Sequence, residues 1–162
     1  MSRAFVKETA EGAAPPERMV SSGPNLVTEE GLAKIAGEVE RLETALAAET
    51  NVLLRETLER DLRYWRQSLA TAQLVRPAKD DRAIAFGSTV TFVRRTPSQA
   101  LRGRPNDAKP QTIRIVGEDE ADPKAGLVNF RSPLARALIG AEEGDTIEMP
   151  SPPAELEILK VE

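Results

Sequence analysis

The chain has 162 residues, 40% of them hydrophobic but only 4% aromatic, with 26 acidic and 22 basic side chains, a net charge of −4 and a pI near 5.1. Cysteine and histidine are both absent, which excludes disulfides, thiolate or imidazole metal sites, Ser–His–Asp catalysis and any imidazole proton transfer. The acidic balance argues against a general nucleic-acid binder, and with no apolar run near the ~18 residues of a membrane span and no signal-peptide core, a soluble cytoplasmic protein is expected.

An aliphatic, aromatic-poor chain of this size suits two small units better than one large domain. Residues 1–26 hold Pro15, Pro16 and Pro24 among Ala, Glu, Ser and Gly without periodicity, and are expected to be a disordered tail. Residues 27–76 then carry two helical series. Thr28 is a candidate N-cap with Glu29 and Glu30 in the first turn. Leu32, Ile35, Val39, Leu42 and Leu46 step by three and four, as do Leu58, Leu62, Trp65, Leu69 and Ala72. These are the seams of two coiled-coil helices, with charged spacers between. The turn falls in 47–52, at Glu49, Thr50 and Asn51. Two short amphipathic helices joined so tightly must pair antiparallel to bury their stripes.

Pro77 to Asp81 breaks the pattern and links the hairpin to a second unit, 83–162. Strands are expected near Ser88–Arg94, Gln111–Val116, Leu127–Phe130, Thr146–Met149 and Leu156–Val161. Between the second and third lies an acidic turn, Glu118, Asp119, Glu120 and Asp122, followed by Pro123 and Gly126. Ser132 then caps a short helix with Pro133 at its first position, where a missing N–H costs nothing. Leu134, Ala135, Leu138 and Ile139 give that helix one apolar face, and Gly140 stops it. One helix across an antiparallel sheet is an α+β layout.

Three features invite chemistry. The acidic turn offers oxygen ligands to a hard cation but lacks the spacing of a calcium loop, so it is read as a solvated turn or a protein contact rather than a metal site. Tyr64 and Trp65 suggest base stacking in isolation. Trp65, however, falls on the seam and is expected in the core, with Tyr64 covering the hairpin's flank. Arg94, Arg95, Arg102, Arg104 and Lys109 crowd a loop broken by Pro97, Gly103, Pro105 and Pro110. That loop is read as solvated, with RNA, DNA or an acidic protein surface as its alternative partners.

The order strand, acidic turn, strand, SPLARAL helix, Gly144–Asp145 and further strands resembles the C-terminal domain of the GreA/GreB transcription elongation factors. The similarity runs from about Val27 to Val161, and the opening MSRAFVKE is similar to that of a subset of GreB-like proteins. The resemblance implies an FKBP-like C-terminal domain that binds RNA polymerase near its secondary channel. Asp119, Glu120, Asp122, Ser132, Pro133, Leu134 and Arg136 then fall on the polymerase-binding side. It also implies a coiled coil reaching down the channel, where an Asp and a Glu at the tip help to hold a catalytic magnesium. Contact with DNA or RNA would be indirect, within that complex.

The chain departs from the family at the tip. The Gly-Asp and Glu-Asn-Ala motif is absent, and the hairpin falls short by roughly ten residues per arm, about 15 Å of reach. Glu49 is the one acid at the turn, with Glu56 a distant second, so Glu49 is read as an ordinary exposed acid rather than a magnesium ligand. The basic loop is also longer and less acidic than is usual in the family. A polymerase-binding elongation regulator, not itself an enzyme and needing no cofactor, is therefore expected, similar to the regulator of nucleoside diphosphate kinase with its short hairpin. The alternatives are a transcript-cleavage-stimulating factor and an interaction module with a non-polymerase partner. A prolyl isomerase, suggested by the fold alone, lacks the aromatic residues for its pocket: four Phe, one Tyr and one Trp in all.

Overall fold

The computed structural model describes residues 16–76, 82–96 and 109–162. The first fifteen residues of the expected tail, the linker 77–81 and most of the basic loop, with Arg102 and Arg104, lie outside them.

Two equal helices form the hairpin: α1 (Glu29–Ala48) and α2 (Val52–Thr71). Thr28 caps α1, its hydroxyl accepting from the Gly31 N–H at 3.0 Å. Asn51 caps α2, accepting from Leu54 N–H at 3.2 Å. Arg55 reaches back to donate to the carbonyls of Leu46 and Glu49 at 3.0 and 2.9 Å, satisfying acceptors that the end of α1 leaves free. Ile35 and Leu42 from α1 and Leu62 from α2 are buried. The remaining seam residues, Leu32, Val39, Leu46, Leu58, Trp65 and Leu69, are only half-buried. Two helices cannot enclose a side chain on every side, so only the innermost positions close completely. Trp65 is thus no core residue, and Ala72 leaves the helix altogether to begin a strand.

That strand, β2 (Ala72–Leu74), pairs in parallel with β1 (Asn25–Val27), with Asn25 opposite Ala72 and Val27 opposite Leu74. The tail expected to run to residue 26 therefore ends earlier, because Asn25 and Leu26 are already in a strand.

The second unit is a five-stranded sheet built from β3 (Thr89–Arg95), β4 (Pro110–Val116), β5 (Leu127–Asn129), β6 (Thr146–Pro150) and β7 (Pro153–Val161), in the order β5-β4-β3-β7-β6. Neighbours are antiparallel except at one edge, where β5 lies parallel to β4. The wholly antiparallel sheet expected from the sequence is corrected there. A parallel neighbour needs a chain that doubles back, and 3-10 turns at Glu118–Glu120 and Pro123–Ala125 supply it, ending at Gly126 with φ +75°. Helix α3 (Pro133–Leu138) closes one face over Val90, Phe92, Ile113, Ile115, Leu156 and Ile158. Ser132 caps it by accepting from Ala135 N–H at 3.2 Å. Ile139, expected on the apolar face, instead follows the last helical residue and is 42% exposed, with Gly140 at φ +92° turning the chain away. The chain is a mixed α+β protein, a helical hairpin followed by a mostly sheet domain.

Candidate functional site

The acidic turn does not face solvent as a unit. Strand β4 ends at Val116, and the next residue, Gly117, lies directly against the Leu26 carbonyl of β1. This close approach starts the 3-10 turn at the base of the hairpin. There the Asp119 carboxylate accepts a hydrogen bond from the Tyr64 hydroxyl at 2.5 Å and another from the Ser68 hydroxyl. Its backbone carbonyl accepts from Lys34 Nζ at 2.7 Å. Glu120 is 7% exposed and accepts from the Thr28 hydroxyl, so its carboxyl sits at the N-terminus of α1, where the helix dipole favours negative charge. Arg114 of β4 completes the joint, pairing with Glu30 of α1 at 3.3 Å.

Asp119 and Glu120, expected as docking residues, are therefore committed to holding the hairpin on the sheet domain. The physical reason is general: a carboxylate withdrawn from water needs hydrogen-bond donors. Half-buried Asp119 and buried Glu120 take theirs from hydroxyls on the hairpin, Glu120 through one oxygen only, its Oε2 having no partner among the described residues. Asp122 is exposed and caps the second 3-10 turn, accepting from Lys124 N–H at 3.0 Å. Pro133 and Arg136 are exposed, while Ser132 and Leu134 are half-buried beneath them. Of the expected docking set, Asp122, Pro133 and Arg136 are thus free to meet a partner.

At the far end of the hairpin the Glu49 carboxylate folds onto its own turn, accepting from the backbone N–H groups of Thr50 and Asn51, both at 2.8 Å. Next to the exposed Thr50 and Asn51 the tip presents apolar side chains: Val52, Leu53 and Leu54 are 68%, 58% and 52% accessible. Sequence reasoning passed over these three. Their signal was an apolar triplet lying off the seam register, immediately after the cap Asn51. It also passed over Ser68 and Thr28 as joint residues, although Ser68 is a polar side chain that is fully buried.

The Tyr64 hydroxyl is held protonated well above the usual tyrosine range, first by burial and then by the hydrogen bond it gives to Asp119. Because the folded pKa is raised, the stabilisation is fully present below the unfolded value near 10 and is lost as pH rises beyond it. Tyr64 is the single tyrosine of the chain. Absorbance at the tyrosinate band should therefore stay flat through pH 10 and rise only with alkaline unfolding followed by circular dichroism. A rise at pH 10 in the still-folded protein would contradict the Tyr64–Asp119 bond.

Comparison with known proteins bears on the same region. The model of the family described as transcription elongation factor, GreA/GreB, C-term, matches residues 79–162, just over half of the chain. The transcription elongation factor GreA of Cereibacter sphaeroides is 45% identical over 87 residues, which are 54% of this chain and 51% of that protein. GreA of Paracoccus denitrificans is 44% identical over 84 residues, 52% of this chain and 47% of that one. The chain spans about half the length of the curated relatives it matches. Among solved structures, the elongation factor GreA/GreB from Nitrosomonas europaea is 24% identical, covering 86% of this chain and 98% of its own with a TM-score of 0.39. GreA factor homolog 1 (Gfh1) of Thermus thermophilus is 16% identical, covering 86% and 99%, also at 0.39. The matched residues hold the five-stranded sheet, the acidic turn that clasps the hairpin and helix α3, and through them the chain belongs to the GreA/GreB transcription elongation factor family.

Proposed function

We propose that this chain binds RNA polymerase near its secondary channel through the sheet domain and modulates elongation without stimulating transcript cleavage. The observation that carries the reading is the tip: its one carboxylate, Glu49, is spent on the N–H groups of Thr50 and Asn51. Magnesium takes oxygen ligands and shares them with phosphate and water, which calls for carboxylates free to coordinate. Glu49 does not fit that role, and the next acid, Glu56, lies within α2. Each helix of 20 residues spans about 30 Å, enough to enter a channel mouth and obstruct longer factors.

The test is a backtracked elongation complex with labelled RNA and magnesium, scored for shortened transcripts at saturating protein. No cleavage above the polymerase's intrinsic rate is expected, together with reduced activity of an added cleavage-competent Gre factor. Pro133→Ala combined with Arg136→Glu, or Asp122→Lys, should weaken polymerase binding while leaving circular dichroism unchanged. Cleavage that Glu49→Ala abolishes would overturn the tip argument. Undiminished affinity in both docking variants would overturn the docking surface, and a native-extract pull-down without polymerase subunits would favour a different partner.

A further inference from the structure

Residues 16–24 cross the joint as a strap without regular secondary structure. Glu17 pairs with Arg63 of α2. The Arg18 guanidinium lies 4.0 Å over the Tyr64 ring and 5.7 Å from that of Trp65, with the Asp61 carboxylate at 3.7 Å. Further along, Ser21 donates to Glu118 at 2.6 Å, and the carbonyls of Ser22 and Pro24 accept from Arg131 at 3.0 and 2.9 Å. Gly23, at φ +104°, provides the turn between those two carbonyls.

We propose that the α2 face formed by Asp61, Tyr64 and Trp65 is an arginine-recognition surface for an extended segment of a partner protein, which residues 16–24 occupy in cis. The inference goes beyond the polymerase reading and stands whether or not polymerase is that partner. Positions 61, 64 and 65 share one side of a helix by their spacing. The Tyr64 ring is pre-oriented, because its hydroxyl is fixed on Asp119 and its edge contact with Trp65 has centroids 5.3 Å apart at 84°. A ring fixed in advance loses little freedom when a cation stacks on it. A flat guanidinium suits this cradle better than an ammonium, since it can stack on the ring while facing a carboxylate.

Arg131 contacts main-chain carbonyls, which any sequence offers, whereas the Ser21 hydroxyl and the Arg18 guanidinium are contacts made by side chains, and of these Arg18 is the one on the Tyr64 ring. Asp61, Glu118 and Asp119 around the ring are partly neutralised by Arg60, 2.7 Å from Asp61, and Arg131, 3.9 Å from Glu118. The surface therefore suits a protein segment that offers one guanidinium among neutral or acidic residues better than a phosphate backbone, which would meet these carboxylates. The strap is held most weakly at its Glu17 end, where a competing segment would enter first. Its ion pair between Glu17 and Arg63 joins side chains that are 59% and 58% exposed, and such pairs are individually weak. Asp61 keeps its closer partner, Arg60 at 2.7 Å, when Arg18 leaves.

Trp65 is the one tryptophan of the chain and reports on the cradle directly. The probe is a blocked synthetic peptide of residues 16–24, titrated into the full native chain and into its Arg18→Ala variant. The variant should show altered Trp65 emission, and the peptide should restore the native spectrum with affinity about tenfold or more above that for the native chain. A peptide carrying Arg18→Lys should bind the variant about tenfold more weakly. In the Arg18→Ala background, Tyr64→Phe keeps the ring face but loses its anchor on Asp119 and should bind more weakly, whereas Tyr64→Leu should lose binding, which separates the ring face from the hydroxyl that both lack. Equal affinity for native and variant chains, equal binding by the lysine peptide, or equal binding after Tyr64→Phe and Tyr64→Leu would each overturn the proposal. So would a failure to bind at all, or an oligouridine that perturbs Trp65 more strongly than the peptide does.

Discussion

Gly117→Ala is expected to destabilise the protein by about 3 kcal/mol, the top of the usual range for overpacking, read as a lowered urea midpoint. Gly117 has φ −67° and ψ 166°, a conformation open to any residue, so backbone strain is not the reason for a glycine there. The reason is proximity. An added Cβ would overlap the Leu26 carbonyl oxygen and lie 3.5 Å from its carbon and 3.6 Å from Val27 Cα. That neighbour is backbone already paired in β1, so it can yield only by separating the hairpin from the sheet domain. Gly31→Ala provides the contrast. There the Cβ meets a side chain, with the Glu120 carboxyl carbon 2.8 Å away, and alanine in the first turn of α1 gains part of the roughly 1 kcal/mol of helix propensity that it has over glycine in a helix interior. The two terms oppose, and a net change within about 1 kcal/mol is expected. If Gly117→Ala proves as mild as Gly31→Ala, β1 is not seated on Gly117.

The hairpin was legible because its information is local. Steps of three and four, a threonine at the first cap and a polar turn at Thr50 and Asn51 all lie within a few residues of what they specify. The strands were legible for the same reason, and so was the family, in the colinear block from Ile115 to Gly140. What escaped was specified at a distance. Strands β1 and β2 have three residues each, too few to show a period, and exist because they meet 47 positions apart. The parallel edge at β5 depends on how the acidic turn doubles back, which composition does not reveal. Asp119 and Glu120 read as surface acids because most acids are; their donors, Tyr64, Ser68 and Thr28, lie 55, 51 and 92 residues away. Ser68 was the nearest available clue, since a polar residue beside the seam at Leu69 needs a partner if it is buried.

Asp119→Ala should cost about 3–4 kcal/mol, because two hydrogen bonds to a charged group, each contributing roughly 1.5–3, disappear together. The hydroxyl of Ser68, fully buried, would then lose the acceptor for its proton and keep the weaker bond it accepts from Asn25 Nδ2 at 3.4 Å. Asp119→Asn retains one acceptor oxygen and should lose about half as much. The two units are joined by this clasp, so the loss should appear as hydrogen exchange at the base of α1 and α2 before the tip or the sheet opens. A double-mutant cycle with Tyr64→Phe isolates the hydroxyl's share, for which a coupling of about 1–2 kcal/mol is expected between residues in direct contact. Strict additivity would mean that the hydroxyl and the carboxylate do not meet in solution. The same argument removes Asp119 from the set of clean docking probes. Its charge reversal would disturb the direction in which the hairpin leaves the domain, and any lost polymerase affinity would report geometry rather than contact. Asp122, Pro133 and Arg136 take no part in the clasp, so only their substitution can separate a docking surface from the joint that aims it.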